Sequence, residues 1–183
     1  MVQPGHGETC DDGNLLSGCN PARPTIPLDA CQNVCTAPIC HDPSTIKFAS
    51  GRGAFSMHGR IIPVAPDTTL DPRNRTVVVE LTDADEVVLF RSSLEAGKLQ
   101  QKGVTFAYVD PTAMQNGGFS KLKIVEHDGA YLVTLRAYGD LSRATDRMTT
   151  HIFVDAQEWT LAGRWLRTSH GWRLDLTSTF GGS

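Results

Sequence analysis

Beyond Cys40 the chain contains no cysteine. It also lacks any apolar run near the ~18 residues that a membrane-crossing helix requires. The longest apolar stretches, around Val77–Val79 and Val87–Phe90, are the size of strands. Positive charge is not in excess: 17 Lys and Arg stand against 20 Asp and Glu, a formal net charge of −3. Binding to nucleic acid relies on cations that displace counterions from phosphates, so this balance argues against a nucleic-acid partner. The start of the chain has no basic stretch leading into an apolar one, the pattern of an export signal. No segment of ten residues keeps a helical period, and no strand–helix–strand alternation appears. A helical bundle, a doubly wound α/β fold and a helical membrane protein are therefore not expected.

Catalytic patterns are missing as well. There is no Gly-x-Ser-x-Gly elbow and no His-Glu-x-x-His. Gly51-Arg52-Gly53 lacks the lysine and helix that make a glycine-rich loop a phosphate cradle. The six histidines, His6, His41, His58, His127, His151 and His170, are scattered. His151 is expected to share a strand face with Phe153 as a satisfied core residue. Ser169 and His170 are adjacent, but a triad is defined in space, so a polar turn is expected there. Asp67, Asp71, Asp83, Asp85, Glu86, Asp110, Asp128 and Asp140 lie mostly in loop-like sequence. A glycosidase would need two of them in one cleft. The sequence thus names no catalytic residue, no metal site and no cofactor, and the chain is read as a non-enzyme.

What is present is a sharp division. Cys10, Cys19, Cys31, Cys35 and Cys40 all fall among the first 40 residues, set among Gly, Pro, Asp and Asn. Such a segment has little to bury, so crosslinks must offset its ordering entropy. Disulfides are expected, with one thiol left over from an odd count. Zinc is the rival, since Cys31, Cys35 and Cys40-His41 offer three thiolates and an imidazole. Their C-x3-C-x4-C-H spacing does not match the usual pairs of a zinc knuckle. It is also too long for the C-x-x-C-H of haem attachment. Asp11, Asp12 and Asn14 bring oxygens together but lack the rest of a calcium loop, so an Asx-rich turn is expected.

The run from Gly7 to Asn20, with Cys10-Asp-Asp-Gly-Asn14 at its centre and Gly18-Cys19 after it, resembles a cysteine-rich repeat of myxobacterial surface and secreted proteins. Glu8, Cys10, Asp11, Asp12, Gly13, Asn14, Gly18 and Cys19 carry the resemblance. His6-Gly7 interrupts the repeat's usual Pro-Gly-Glu, and the stretch from Asn14 to Cys19 is shorter than usual. The resemblance implies an extracellular or cell-surface location in a bacterium. In the repeat a Cys-Gly-Asp-Gly precedes the segment that matches Met1–Gly5. Met1 is therefore expected to be an internal methionine, with the sixth cysteine and the export signal encoded upstream. A bacterial source would also make the Asn74-Arg-Thr76 glycosylation sequon irrelevant.

From Thr45 onward the texture is that of strands. Phe55 and Met57 alternate with Ser56 and His58, and Val77, Val79 and Leu81 alternate with Val78 and Glu80. Asp83-Ala84-Asp85 and Asp128-Gly129 read as hairpin turns. Val77–Asp83 and Leu132–Ala137 rhyme weakly, as a duplicated β-unit would. The expected fold is all-β: an antiparallel β-sandwich of about nine strands over 44–183. A short, disulfide-rich, irregular head is expected over 1–43.

Trp159, Trp165 and Trp172 cluster near the C-terminus, and Trp159 and Trp165 share one face of an unbroken strand. Core packing is the favoured reading, because Trp carries a large burial area. The alternative is a ligand surface on which they stack sugar rings. The expected function is a non-enzymatic structural or interaction module with a protein or glycan partner. A carbohydrate-binding β-module is the second reading, and a hydrolase with a loop-built site is the third.

Overall fold

A computed structural model describes residues 18–20, 23–29, 37–38, 40–49, 52–63 and 70–175, with side chains described for 44–47, 53–63 and 70–175. The described residues are nearly all antiparallel β-structure. In chain order the strands are β1 (Gly18–Asn20), β2 (Arg23–Asp29), β3 (Ala37–Pro38), β4 (Cys40–Ala49) and β5 (Arg52–Ile61). Then come β6 (Val77–Thr82), β7 (Val88–Leu94), β8 (Gln100–Lys102) and β9 (Thr105–Val109). A one-turn helix α1 (Ala113–Asn116) precedes β10 (Gly118–His127), β11 (Ala130–Gly139), β12 (Arg147–Val154), β13 (Gln157–Thr168) and β14 (Gly171–Asp175). Among the described residues, strands β1 and β2 pair with each other in a separate two-stranded sheet.

The other strands form one sheet. Its hydrogen-bonded path runs β7-β6-β12-β13-β14-β4-β5-β11-β10-β9-β8, with β3 attached in parallel to β13. A sandwich implies two stacked sheets, whereas this path is unbroken through eleven strands. Alternation in a sequence says which face of a strand is buried. It does not say which strands pair, so one curled sheet and two flat ones look alike. The curl brings edge strand β7 over β11 and β10. Gly139 of β11 allows the contact, because a Cβ there would lie 2.7 Å from Phe90 Cε2 of β7.

The hairpins follow from turn chemistry. Asp128 (φ 50°) and Gly129 (φ 70°) form the two-residue turn between β10 and β11, the left-handed pair that hairpin twist requires. At the β6–β7 turn, Asp83 Oδ1 accepts from the amides of Asp85 (3.0 Å) and Val87 (2.9 Å). Its side chain thereby replaces backbone partners.

Inward residues of all the long strands meet in one core. Phe55 of β5 lies between Phe90 of β7 (6.1 Å between centroids) and Trp165 of β13 (6.5 Å). Trp159 and Trp165 are buried at 0% and 1% exposure. Trp159 Nε1 donates to Ile62 O at 2.5 Å, and Trp165 Nε1 to Met148 O at 3.0 Å. Each indole thus buries its ring and satisfies its one donor, as a core tryptophan must. The five cysteine side chains, the disulfide or metal readings built on them, and the repeat-like segment lie outside the described side chains.

Candidate functional site

The polar side chains that the core excludes lie on the outer face of the sheet, and pairing register sorts them into lines. Arg173 of β14 pairs with Thr45 of β4, Thr45 with Ser56 of β5, and Ser56 with Arg136 of β11. Arg136 then pairs with Lys121 of β10. Residues opposite one another in a ladder point to the same side of the sheet. Their chain neighbours Leu174, Ile46, Phe55, Leu135 and Leu122 are all buried, so this line faces outward. Leu166 of β13 and Val109 of β9 close its two ends and are 37% and 69% exposed.

In the middle of the line is a depression of about 370 Å³. Thr45, Ser56, His58, Lys121, Thr134 and Arg136 give it polar walls. The arginine is placed from beneath. Helix α1 seats Ala113 against Ala54 and Tyr138, a small buried cluster on the outer side of the sheet. The fixed Tyr138 ring carries the Arg136 guanidinium 5.1 Å from its centroid. A cation over an aromatic face gains roughly 0.5–1 kcal/mol at an exposed site, enough to restrict where Arg136 points.

Cations outnumber carboxylates around the depression. Lys47, Arg60, Lys121, Lys123, Arg136 and Arg173 all occupy outward positions on β14, β4, β5, β11 and β10. Two carboxylate residues share this face by register: Asp42 of β4, opposite His58, and Asp175 of β14, two residues from Arg173. Many of the other acidic residues lie in turns, as Asp83, Asp85 and Glu86, or as Asp110, Asp128, Asp140 and Asp155. A chain of net charge −3 therefore carries an excess of cations on this face.

A second constellation spans β6, β12 and β13. His151 Nδ1 lies 2.7 Å from Glu158 Oε1, and its Nε2 lies 2.9 Å from Thr82 Oγ1. A carboxylate only accepts, so Nδ1–H donates to Glu158. In the neutral ring Nε2 then accepts from the Thr82 hydroxyl. The order hydroxyl–imidazole–carboxylate is that of a nucleophile, a base and an orienting acid. Approach is what it lacks: Thr82 is 6% exposed, whereas a nucleophile needs space for a reacting carbon about 3 Å away. Phe153 stacks on the imidazole at 6.1 Å and 5°, and Arg91 pairs with Glu80 at 2.7 Å beside it. The arrangement clasps three strands.

The placements differ from the sequence reading at several points. His151 does share a face with Phe153, but that face is the outer one, while Thr150 and Ile152 point inward. Trp159 and Trp165 do share a face, and it is the core face, so neither can stack on a ligand. Trp172 is partly buried against the core, with Arg167 5.6 Å from its ring. Ser169 and His170 form an exposed turn in which the His170 amide donates to Thr168 Oγ1 at 3.3 Å. Among the described residues no group of His, Cys, Asp and Glu is placed to hold a metal, and no helix is long and apolar enough to cross a membrane. Sequence reasoning missed the cationic line, because its members come from five strands far apart in the chain. The signal that was available is local: Lys121 and Lys123 alternate with buried Leu122 and Ile124.

Comparison with protein-family models, with curated proteins and with solved structures finds no match to this chain.

Proposed function

We propose that the protein is a non-catalytic interaction module, exported to the cell surface or beyond, that takes an anionic ligand on the outer face of β4, β5, β11 and β10. The observation that carries this reading is the 370 Å³ depression, walled by Arg136, Lys121, His58 and three hydroxyl side chains. Guanidinium and ammonium groups form short, charge-assisted bonds to carboxylate or sulfate oxygens. Thr45, Ser56 and Thr134 supply donors and acceptors for a ligand's hydroxyls. The exported location rests on the cysteine-rich N-terminal sequence.

The test is a two-dimensional amide NMR titration, suited to a 19.9 kDa chain. Glucuronate and glucose serve as paired ligands. The reading expects glucuronate to shift the amides of Thr45, Ser56, His58, Thr134 and Arg136, with glucose leaving them in place. Arg136→Gln is expected to abolish the shifts. Equal response to both sugars, or shifts confined to other strands, overturns it.

A hydrolase is the second reading, drawn from the Thr82–His151–Glu158 order. Thr82→Val tests it: loss of turnover on an activated ester, with the fold retained, would support it. A chain without turnover before and after the change removes it.

A further inference from the structure

We infer that the ligand of this face is a polyanionic glycan, a chain of uronate units, lying across the strands along the line from Arg173 to Lys121. The inference rests on the anionic-ligand reading above and adds the polymer, its class and its direction. The first argument is length. Neighbouring strands are spaced ~4.8 Å apart. The line crosses β14, β4, β5, β11 and β10, so from Arg173 to Lys121 it measures roughly 19 Å. A small anion held between Arg136 and Lys121 occupies one such step and leaves Arg173 about 14 Å away. Only an extended ligand uses all three cations.

The second argument is the order of chemistry along the line. Reading across the strands it runs cation, hydroxyl, hydroxyl, cation, cation: Arg173, Thr45, Ser56, Arg136, Lys121. A polyuronate offers charged carboxylates along its length and hydroxyls between them. Exposed Leu166 and Val109 bracket the line, and each can cover a C–H face of a sugar ring. The spacing also fits, because one inter-strand step is close to the length of one pyranose unit.

The third argument concerns the competing polyanion. Proteins that hold single-stranded nucleic acid combine cations with exposed aromatic platforms for the bases. The aromatic ring under this line, Tyr138, is 8% exposed and already carries Arg136. Among the described outward residues of β14, β4, β5, β11 and β10, the other aromatic side chains are the imidazoles of His58 and, at the far end of β10, His127, and no other Phe, Tyr or Trp is present. The depression suits a sugar unit better than a stacked base.

The experiment is isothermal titration at fixed salt with mono-, di-, tetra- and hexasaccharide uronates, on the full chain. Affinity is expected to rise at least about tenfold from the disaccharide to the hexasaccharide, as linked contacts add. Arg173→Gln is expected to flatten that length dependence, with urea unfolding showing that the variant is folded. Affinity independent of length, or an Arg173→Gln variant that keeps the full gain, overturns the inference while leaving a small-anion site standing. No binding by a uronate of any length overturns the anionic-ligand reading itself. A neutral hexasaccharide that binds equally well overturns the role of charge. An oligonucleotide of equal charge that binds more tightly overturns the glycan class.

Discussion

Gly171→Ala is expected to open the sheet at a narrow join. Strands β14 and β4 are held by three residue pairs: Gly171 with Lys47, Trp172 with Ile46, and Arg173 with Thr45. Gly171 has φ +133°, and a Cβ there would lie 2.1 Å from the backbone oxygen of Ile46. Two costs add. An L side chain at positive φ is strained by roughly 1–2 kcal/mol. The close approach is to backbone, so β4 must move by about 1.4 Å, given an ordinary contact of ~3.5 Å. That movement weakens ladder hydrogen bonds worth about 1 kcal/mol each. The sum is about 3–5 kcal/mol, a large part of the 5–15 kcal/mol by which domains are stable.

Urea unfolding followed by tryptophan fluorescence reads it out, since Trp159 and Trp165 are buried. Two controls separate the causes. Gly97→Ala carries positive φ (+82°) with nothing within 4 Å of the new Cβ, so it isolates strain. Gly163→Ala places a Cβ 2.3 Å from Leu174 Cδ1, the tip of a flexible side chain, so it isolates crowding that can relax. If Gly171→Ala costs no more than Gly97→Ala, the close-approach argument is refuted.

Three further outcomes are expected. Thr150 is fully buried and its Oγ1 has no hydrogen-bond partner, so Thr150→Val should stabilise the chain by ~1 kcal/mol, and destabilisation in the same urea assay would count against it. Thr82→Val should cost about 1–2 kcal/mol by leaving His151 Nε2 without its hydroxyl, and imidazole nitrogen NMR of the parent should show the proton on Nδ1. The Thr112 hydroxyl and amide, at 2.7 and 2.8 Å, hold the Asp110 carboxyl below its ordinary range. With a depressed folded value, their contribution is full above the unfolded value of about 3.9. It is lost as pH falls through the lower folded value. Thr112→Val should move the Asp110 midpoint upward by carboxyl NMR, and an unmoved midpoint would refute that cause.

Faces and turns were legible in the sequence because both are local. Ser56 and His58 against Phe55 and Met57, and the left-handed pair Asp128-Gly129, follow from a period of two and from turn chemistry. The all-β class followed from them. Partners were not legible, since nothing near Lys47 points to Gly171. Strand β8 escaped notice because Gln100, Gln101 and Lys102 are all exposed and show no alternation. Helix α1 is one turn long, too short to show a helical period in the sequence. His151 was assigned to an apolar face on the strength of Phe153. Only the register, which sets His151 opposite Glu80 and Thr160 and Phe153 opposite Glu158, reveals that both lie outside. The cationic line suffers from the same limit on a larger scale, since it exists only after five strands have found their order.

The short join between β14 and β4 has a consequence for how the molecule is made. It ties one of the first strands of the sheet to the last strand of the described chain, so it is among its most non-local contacts. Contacts of that kind form late, because a long loop must close before they return any energy. During synthesis β4 and β5 can pair and recruit β11 and β10, and β6 can gather β7, β12 and β13. The two half-sheets stay unjoined until Gly171–Arg173 has emerged. Until that moment β4 presents an open edge, the kind of edge on which strands of neighbouring chains can pair.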